Sequence, residues 1–187
     1  MGAYIGTHTM SLVDAVGPKG SVITFEPQPW AYKGIKKTLA KNGIKNVKVV
    51  NAGLSNEKGK LRFCSDGSGS SSICTERSSS KKKWEEVYDI PVVTLDDYNL
   101  KNVSIMKVDV EGHEQKVLEG SLKILENNQP NLLIEIEKRH RKLDPDYTIS
   151  FLKEVGYQCF VFDEAKLIEV KKYEDFPLKN NFIFKKI

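Results

Sequence analysis

Three acids and a histidine fall within six residues at Asp109-Val110-Glu111-Gly112-His113-Glu114. The apolar run Ile105 to Val110 precedes them, with Lys107 and Asp109 as its polar exceptions, and a helical pattern follows. Carboxylates at such a strand-to-helix turn can receive a proton, orient an acceptor or hold a ligand's amino group. Alternation along the strand sends Asp109 and Glu111 to one side while the strand lasts. The plainer reading is helix capping, because acids suit the positive end of a helix dipole; it applies most to Glu114. Metal binding by this cluster together with Glu135 is the lesser alternative.

A second constellation opens the chain. Gly2-Ala3-Tyr4-Ile5-Gly6-Thr7 reads as a glycine turn leading into a helix, and Glu26 stands twenty residues past Gly6, after Val22-Ile23-Thr24-Phe25. A glycine turn, a helix, a strand and a terminal acid form the layout of a nucleotide-binding βαβ unit. Glycines let a ligand approach the backbone, and a carboxylate after the second strand can accept from both ribose hydroxyls. A solvated acid ahead of Pro27 is the alternative reading of Glu26.

The glycines match neither G-x-x-x-x-G-K-[ST] nor G-x-G-x-x-G, which argues against a phosphate or pyrophosphate cradle. A nicotinamide or nucleotide-sugar enzyme is therefore the weaker reading. A nucleoside cofactor without pyrophosphate fits better, and S-adenosylmethionine is one. Methyl transfer to a hydroxyl would then need a group to take the proton, a role open to Asp109 or Glu111.

The elements that must position these groups follow from periodicity. Helices are predicted over Thr7 to Val16, Trp30 to Lys41, His113 to Glu126 and Tyr147 to Val155. Strands are predicted over Ser21 to Phe25, Val47 to Asn51, Leu61 to Cys64, Ile90 to Leu95, Ile105 to Val110, Leu132 to Ile136, Cys159 to Phe162 and Phe182 to Phe184. Strands alternating with helices predict one α/β domain over residues 1–187, built on a mostly parallel sheet with an antiparallel C-terminal strand. The groups following its strands form one rim: Gly2 to Gly6, Glu26-Pro27, Asn51-Ala52, Asp109 to Glu114 and Glu135 to Glu137. Between Cys64 and Lys83 lie eight serines and two glycines without a sustained apolar pattern. This stretch reads as disorder or a plain surface loop, or as a substrate or cofactor lid, and Lys81 to Lys83 as a solvated charge run.

With 187 residues, 40% hydrophobic and 29% charged, the chain can build a real core. A net charge of +4, spread along the sequence, does not suggest a nucleic-acid role. No run reaches the roughly 18 apolar residues of a membrane span, and no signal-peptide pattern opens the chain. Cys64, Cys74 and Cys159 are odd in number and lack metal-ligand spacing. They read as thiols in a reducing compartment, which places the protein in the cytoplasm. His8, His113 and His140 form no H-x-x-x-H and no triad, and His140 reads as part of a solvated segment.

The motifs together resemble the FkbM-type methyltransferases. The resemblance is carried by Gly2-Ala3-Tyr4-Ile5-Gly6-Thr7-His8-Thr9, Phe25-Glu26-Pro27, Thr94-Leu95-Asp96-Asp97 and Val117-Leu118-Glu119-Gly120. Leu133-Ile134-Glu135 adds to it, and Met106-Lys107-Val108-Asp109-Val110-Glu111-Gly112-His113-Glu114 is its most specific part. It implies a Rossmann-like class I methyltransferase sandwich, S-adenosylmethionine as donor, and O-methylation of a sugar or another small hydroxylated metabolite. By position, Gly2, Ala3, Tyr4, Gly6, Glu26 and Pro27 would hold the cofactor, with Asn51 and Ala52 bordering the adenine. Asp109 and Glu111 would face the reactive end, Asp109 also touching the cofactor. A homo-oligomer is compatible with this reading.

Two departures from the family pattern are visible. Tyr4 stands where the family usually has Asn. The family's first strand, ending in Asp, would precede Gly2 and lie between the strands ending at Glu26 and Asp109. The expectation is an upstream start, a gap filled by another segment or subunit, or an impaired remnant that binds a nucleoside or partner without turnover.

Overall fold

The computed structural model describes residues 2–65, 71–74, 86–137 and 144–186. Most of the serine-rich stretch, Lys81 to Lys83 and His140 lie outside the described residues. The chain forms two compact units, Met1–Leu54 with Lys58–Val93, and Ser55–Glu57 with Thr94–Ile187.

The first unit begins with helix α1 (Thr7–Val16), whose N-cap Gly6 is left-handed and which stops at Gly17, where the Gly-Pro pair predicts it. Strand β1 (Val22–Phe25) follows, then helix α2 (Pro29–Lys41). Proline is tolerated in the first helical turn because the N–H it lacks has no partner there. Ala31, Ile35 and Leu39 recur every four residues and form the buried stripe of α2. Ile35 and Leu39 pack with Ala3, against Met10, Ile44, Val47 and Val49. Strand β2 (Val47–Val50) pairs parallel to β1, Phe25 opposite Val50.

Strands β3 (Gly53–Leu54), β4 (Gly59–Ser65), β5 (Ser71–Ile73) and β6 (Glu86–Val93) make a separate sheet in the order β3-β6-β4-β5. Phe63, Ile90 and Val92 are its buried cluster. Cys64 and Cys74 form a disulfide here, with Cα atoms 5.3 Å apart. This corrects the reading of three thiols: the β4–β5 ladder brings two of them together, and only Cys159, buried, is free. The bridge removes the ground on which the cysteines had placed the chain in a reducing compartment.

The second unit holds strand β7 (Ile105–Val108), helices α3 (Glu114–Glu119) and α4 (Leu122–Asn128), strand β8 (Asn131–Glu135) and helix α5 (Pro145–Glu154). Strands β9 (Tyr157–Asp163), β10 (Lys166–Glu169) and β11 (Asn181–Lys186) complete it. The sheet order is β10-β9-β11-β8-β7. Phe182 and Phe184 lie opposite Ile134 and Leu132, and all four are buried.

The Rossmann-like α/β character is as expected, with two corrections. Parallel pairing is confined, among the described residues, to β1–β2, β3–β6 and β7–β8. The remaining pairs are antiparallel: β4 runs against β5 and β6, β10 folds back on β9 through a two-residue turn, and β11 returns between β8 and β9. The helix expected from His113 to Glu126 is two helices, broken where Gly120 meets the loop at Ser55. A Cβ on Gly120 would come within 2.0 Å of the Ser55 carbonyl oxygen. Among the described residues β1 has β2 as its ladder partner, and β7 lies at a sheet edge beside β8. The other edge of β1 accepts one backbone bond, from Ala3 N–H to the Phe25 carbonyl at 3.4 Å. Among the described residues no helix is long and apolar enough to cross a membrane.

Candidate active site

In the first unit the glycine turn closes on Glu26. Gly2, Tyr4 and Gly6 all have left-handed backbone, with φ of 71°, 46° and 93°. That path turns the Tyr4 N–H onto Glu26 Oε2 at 2.6 Å, while the Gln28 N–H donates to Oε1 at 2.8 Å. Glu26 is 4% exposed, so it is not the solvated acid of the plainer reading. Burial raises its pKa above the usual carboxylate range, and the two backbone bonds oppose that shift. Each oxygen has a second lone pair available to a ligand hydroxyl. Gly6 is held to its residue type twice, by its φ and by Ile35 Cγ1, which would lie 3.3 Å from a Cβ there.

Asn51 closes the same end of the unit. Its side-chain amide donates to the carbonyls of Glu26 and Pro27, at 2.9 and 3.1 Å, and so ties the end of β2 to the end of β1. Ala52 is buried beside it in sequence.

Two features of this unit had no signal in the sequence reading. The half-exposed rings of Tyr4 and Trp30 meet edge to face at 5.7 Å. The Tyr88 hydroxyl is buried without a hydrogen-bond partner among the described residues. Burial raises the Tyr88 pKa, and the charges of Glu86 and Glu26 add to the shift, which puts the phenol within electrostatic reach of Glu26. Tyr88 comes from a strand whose sequence carries no glycine or acid pattern to mark it. A buried hydroxyl lacking a partner, a carboxylate with spare lone pairs, backbone freed by glycines and an exposed aromatic pair fit the polar edge and flat face of a nucleoside.

In the second unit the acids of the 109–114 turn separate into different roles. The strand ends at Val108, so Asp109 and Glu111 do not alternate on one strand face. Glu111 is exposed at φ 52°, and Gly112 follows at φ 94°. Glu114 is 2% exposed, and its Oε1 accepts the N–H groups of Gly112 at 2.9 Å and Val110 at 3.3 Å. It braces the turn ahead of α3 from inside, and neither of these donors is one of the helix's own N–H groups. Asp109 Oδ2 lies 3.2 Å from the Nζ of buried Lys107, whose ammonium is also 4.0 Å from Glu135 Oε2. In the sequence Lys107 stands out only as a polar exception in an apolar strand.

His113 Nε2 is 3.1 Å from the Ser55 hydroxyl. Burial pushes its pKa down to about 4, the Lys116 charge adding to the shift and Glu119 opposing it. The imidazole is therefore neutral at pH 7. With the Asn56 amide donating to Glu119 Oε2 at 3.2 Å, it fastens residues 55–57 to α3. Among the described residues no group of three or more His, Cys, Asp or Glu could hold a metal ion.

The fold is a Rossmann-like α/β fold with carboxylates following its strands, Glu26 after β1, Asp109 after β7 and Glu135 at the end of β8. Residues 1–159 match the family model of the methyltransferase FkbM domain, and the chain belongs to that family. It is similar to "Methyltransferase 1" of Beauveria bassiana (strain ARSEF 2860), 27% identical over 139 residues, which covers 64% of this chain and 55% of that protein. Among solved structures it resembles the methyltransferase FkbM from Methylobacillus flagellatus KT, with a TM-score of 0.64 at 18% identity. That match covers 98% of this chain and 41% of the other. The chain thus spans about half the length of the curated relative it matches.

Proposed function

We propose that this chain is an S-adenosylmethionine-dependent methyltransferase domain acting on a hydroxyl of a sugar or another small metabolite. The observation that carries this reading is Glu26, placed after β1 and gripped by the backbone of the glycine turn. A carboxylate held so is oriented before any ligand arrives, which lowers the ordering cost of binding.

S-adenosylmethionine, when bound, supplies a methyl group on a sulfonium sulfur. Gly2, Ala3 and Gly6 would offer close backbone approach, Glu26 and Pro27 the ribose edge, and Asn51-Ala52 the border of the adenine. Tyr88 would add a hydroxyl near the same edge. Asp109 and Glu111 would stand at the reactive end, where an acceptor must be oriented and its proton taken.

A second reading, a domain that binds the nucleoside without turnover, draws on Tyr4, a bulky residue held at φ 46° in the glycine turn. The test is calorimetric titration of the chain with S-adenosylhomocysteine, with NAD as control. Micromolar binding that weakens about tenfold or more in Tyr88→Phe or Glu26→Gln supports the assignment of the ribose edge. Binding of NAD in preference, or no effect of either variant, overturns it. Transfer of labelled methyl to sugar acceptors then separates the enzyme from the binding domain.

A further inference from the structure

Lys107 is a charged side chain in the middle of a buried strand. Its side chain is 6% exposed, against 22% for Asp109 and 28% for Glu135. A buried ammonium costs several kcal/mol unless it is paired, and here two carboxylates stand between it and the surface. The β7–β8 register pairs Val108 with Ile134, so one step further brings Asp109 beside Glu135. The two carboxyl groups thus share one buried ammonium, which lies 3.2 Å from Asp109 and 4.0 Å from Glu135.

We propose that Asp109, Glu135 and Lys107 form one proton-holding unit, in which Glu135 takes the proton of the acceptor hydroxyl and Lys107 positions both carboxylates. This rests on the reading of the site as one for S-adenosylmethionine. As the acceptor oxygen forms its bond to the methyl carbon, the electron pair of the carbon–sulfur bond leaves with sulfur. The hydroxyl proton passes to a Glu135 oxygen.

Burial pushes the Glu135 pKa up to about 7, followed by the hydrogen bond and charge of Asp109, with Lys107 opposing. Glu137 adds a smaller upward push, and the residue opposite Glu135 on β11 is the uncharged Asn181. A general base works best with a pKa near the operating pH. The receptive form, with Glu135 ionised, is populated as pH rises through about 7.

The test is carboxyl-carbon NMR of the whole chain, titrated with pH alone, with S-adenosylhomocysteine, and with S-adenosylmethionine. Glu135 should titrate in a step near 7, the upper of the carboxyl steps, and Glu135→Gln should abolish that upper step. If the pair faces the sulfonium, the cation lowers the upper step by about one unit relative to the uncharged thioether. S-adenosylmethionine then gains about tenfold in affinity over S-adenosylhomocysteine as pH rises through that step. This gain is referenced to Glu135→Gln, where the ligands' own amino groups titrate alike. Lys107→Met should raise the upper step further.

Identical steps with both ligands bound would overturn the proposal while leaving the cofactor reading standing. Failure of either ligand to bind would overturn the cofactor reading and the proposal with it.

Discussion

The Tyr4 N–H donates to Glu26 Oε2 at 2.6 Å, and it can do so because Tyr4 adopts φ 46°. Left-handed backbone is uncommon for a bulky residue, whereas Asn adopts it several times more readily. The Asn usual in the family at this position therefore has a physical reason, and the Tyr4 ring, set against Trp30, occupies the same backbone conformation at a cost. What requires the conformation is the carboxylate. Glu26→Gln replaces one accepting oxygen by an amide nitrogen, which leaves a backbone donor facing another donor. A loss of about 1–3 kcal/mol follows, read from urea unfolding. An unchanged midpoint would show that the turn does not depend on this carboxylate.

Two glycines should respond to alanine in opposite directions. Gly120 has ordinary backbone, but a Cβ would meet Ser55 oxygen at 2.0 Å and Ser55 carbon at 2.9 Å. Neither atom can move without displacing the loop that His113 fastens, so Gly120→Ala should cost about 2 kcal/mol or more. Gly34 lies inside α2, and a Cβ there would meet nothing within 4 Å. Gly34→Ala should stabilise by about 0.5–1 kcal/mol. Thermal unfolding of the two variants beside the parent chain checks both signs.

The β9–β10 hairpin turns on two residues with left-handed backbone, and it can be made more stable. Glu164 and Ala165 form its two-residue turn at φ 44° and 62°, with Asp163 opposite Lys166. Turns with two positive φ values favour Asn-Gly or Asp-Gly. Glu164→Asn with Ala165→Gly should therefore stabilise the chain by about 1 kcal/mol, measured by chemical denaturation.

Glu-Ala carries none of the usual turn signal, so the sequence shows β9 without its partner β10. What the sequence shows well is what repeats. The four-residue stripe Ala31, Ile35 and Leu39 marks α2, and the bounds of α1 coincide with those expected. The Asp109 to Glu114 turn and the spacing from Gly6 to Glu26 were likewise legible, because local chemistry sets them. Contacts between distant segments were not. Tyr4 on Glu26, Ser55 on His113, Cys64 with Cys74 and the break at Gly120 all depend on pairing that no local pattern encodes.

The pH dependence of stability should contain two opposed contributions. The His113 pKa in the folded chain, about 4, lies below its usual 6.5. The unfolded chain then binds the extra proton between these values, and stability rises with pH across that window. The Glu135 pKa in the folded chain, about 7, lies above its usual 4.5. Here the folded chain binds the extra proton. The contribution is fully present below 4.5 and is lost as pH rises through about 7. Each slope approaches about 1.4 kcal/mol per pH unit, and where the windows overlap they offset one another. His113→Gln should leave a profile that falls from pH 4.5 to about 7, and Glu135→Gln one that rises from about 4 to 6.5. Denaturant titrations of the parent and both variants across this range separate the two. Parallel profiles in all three proteins would show that neither group differs in proton affinity between the folded and unfolded chain.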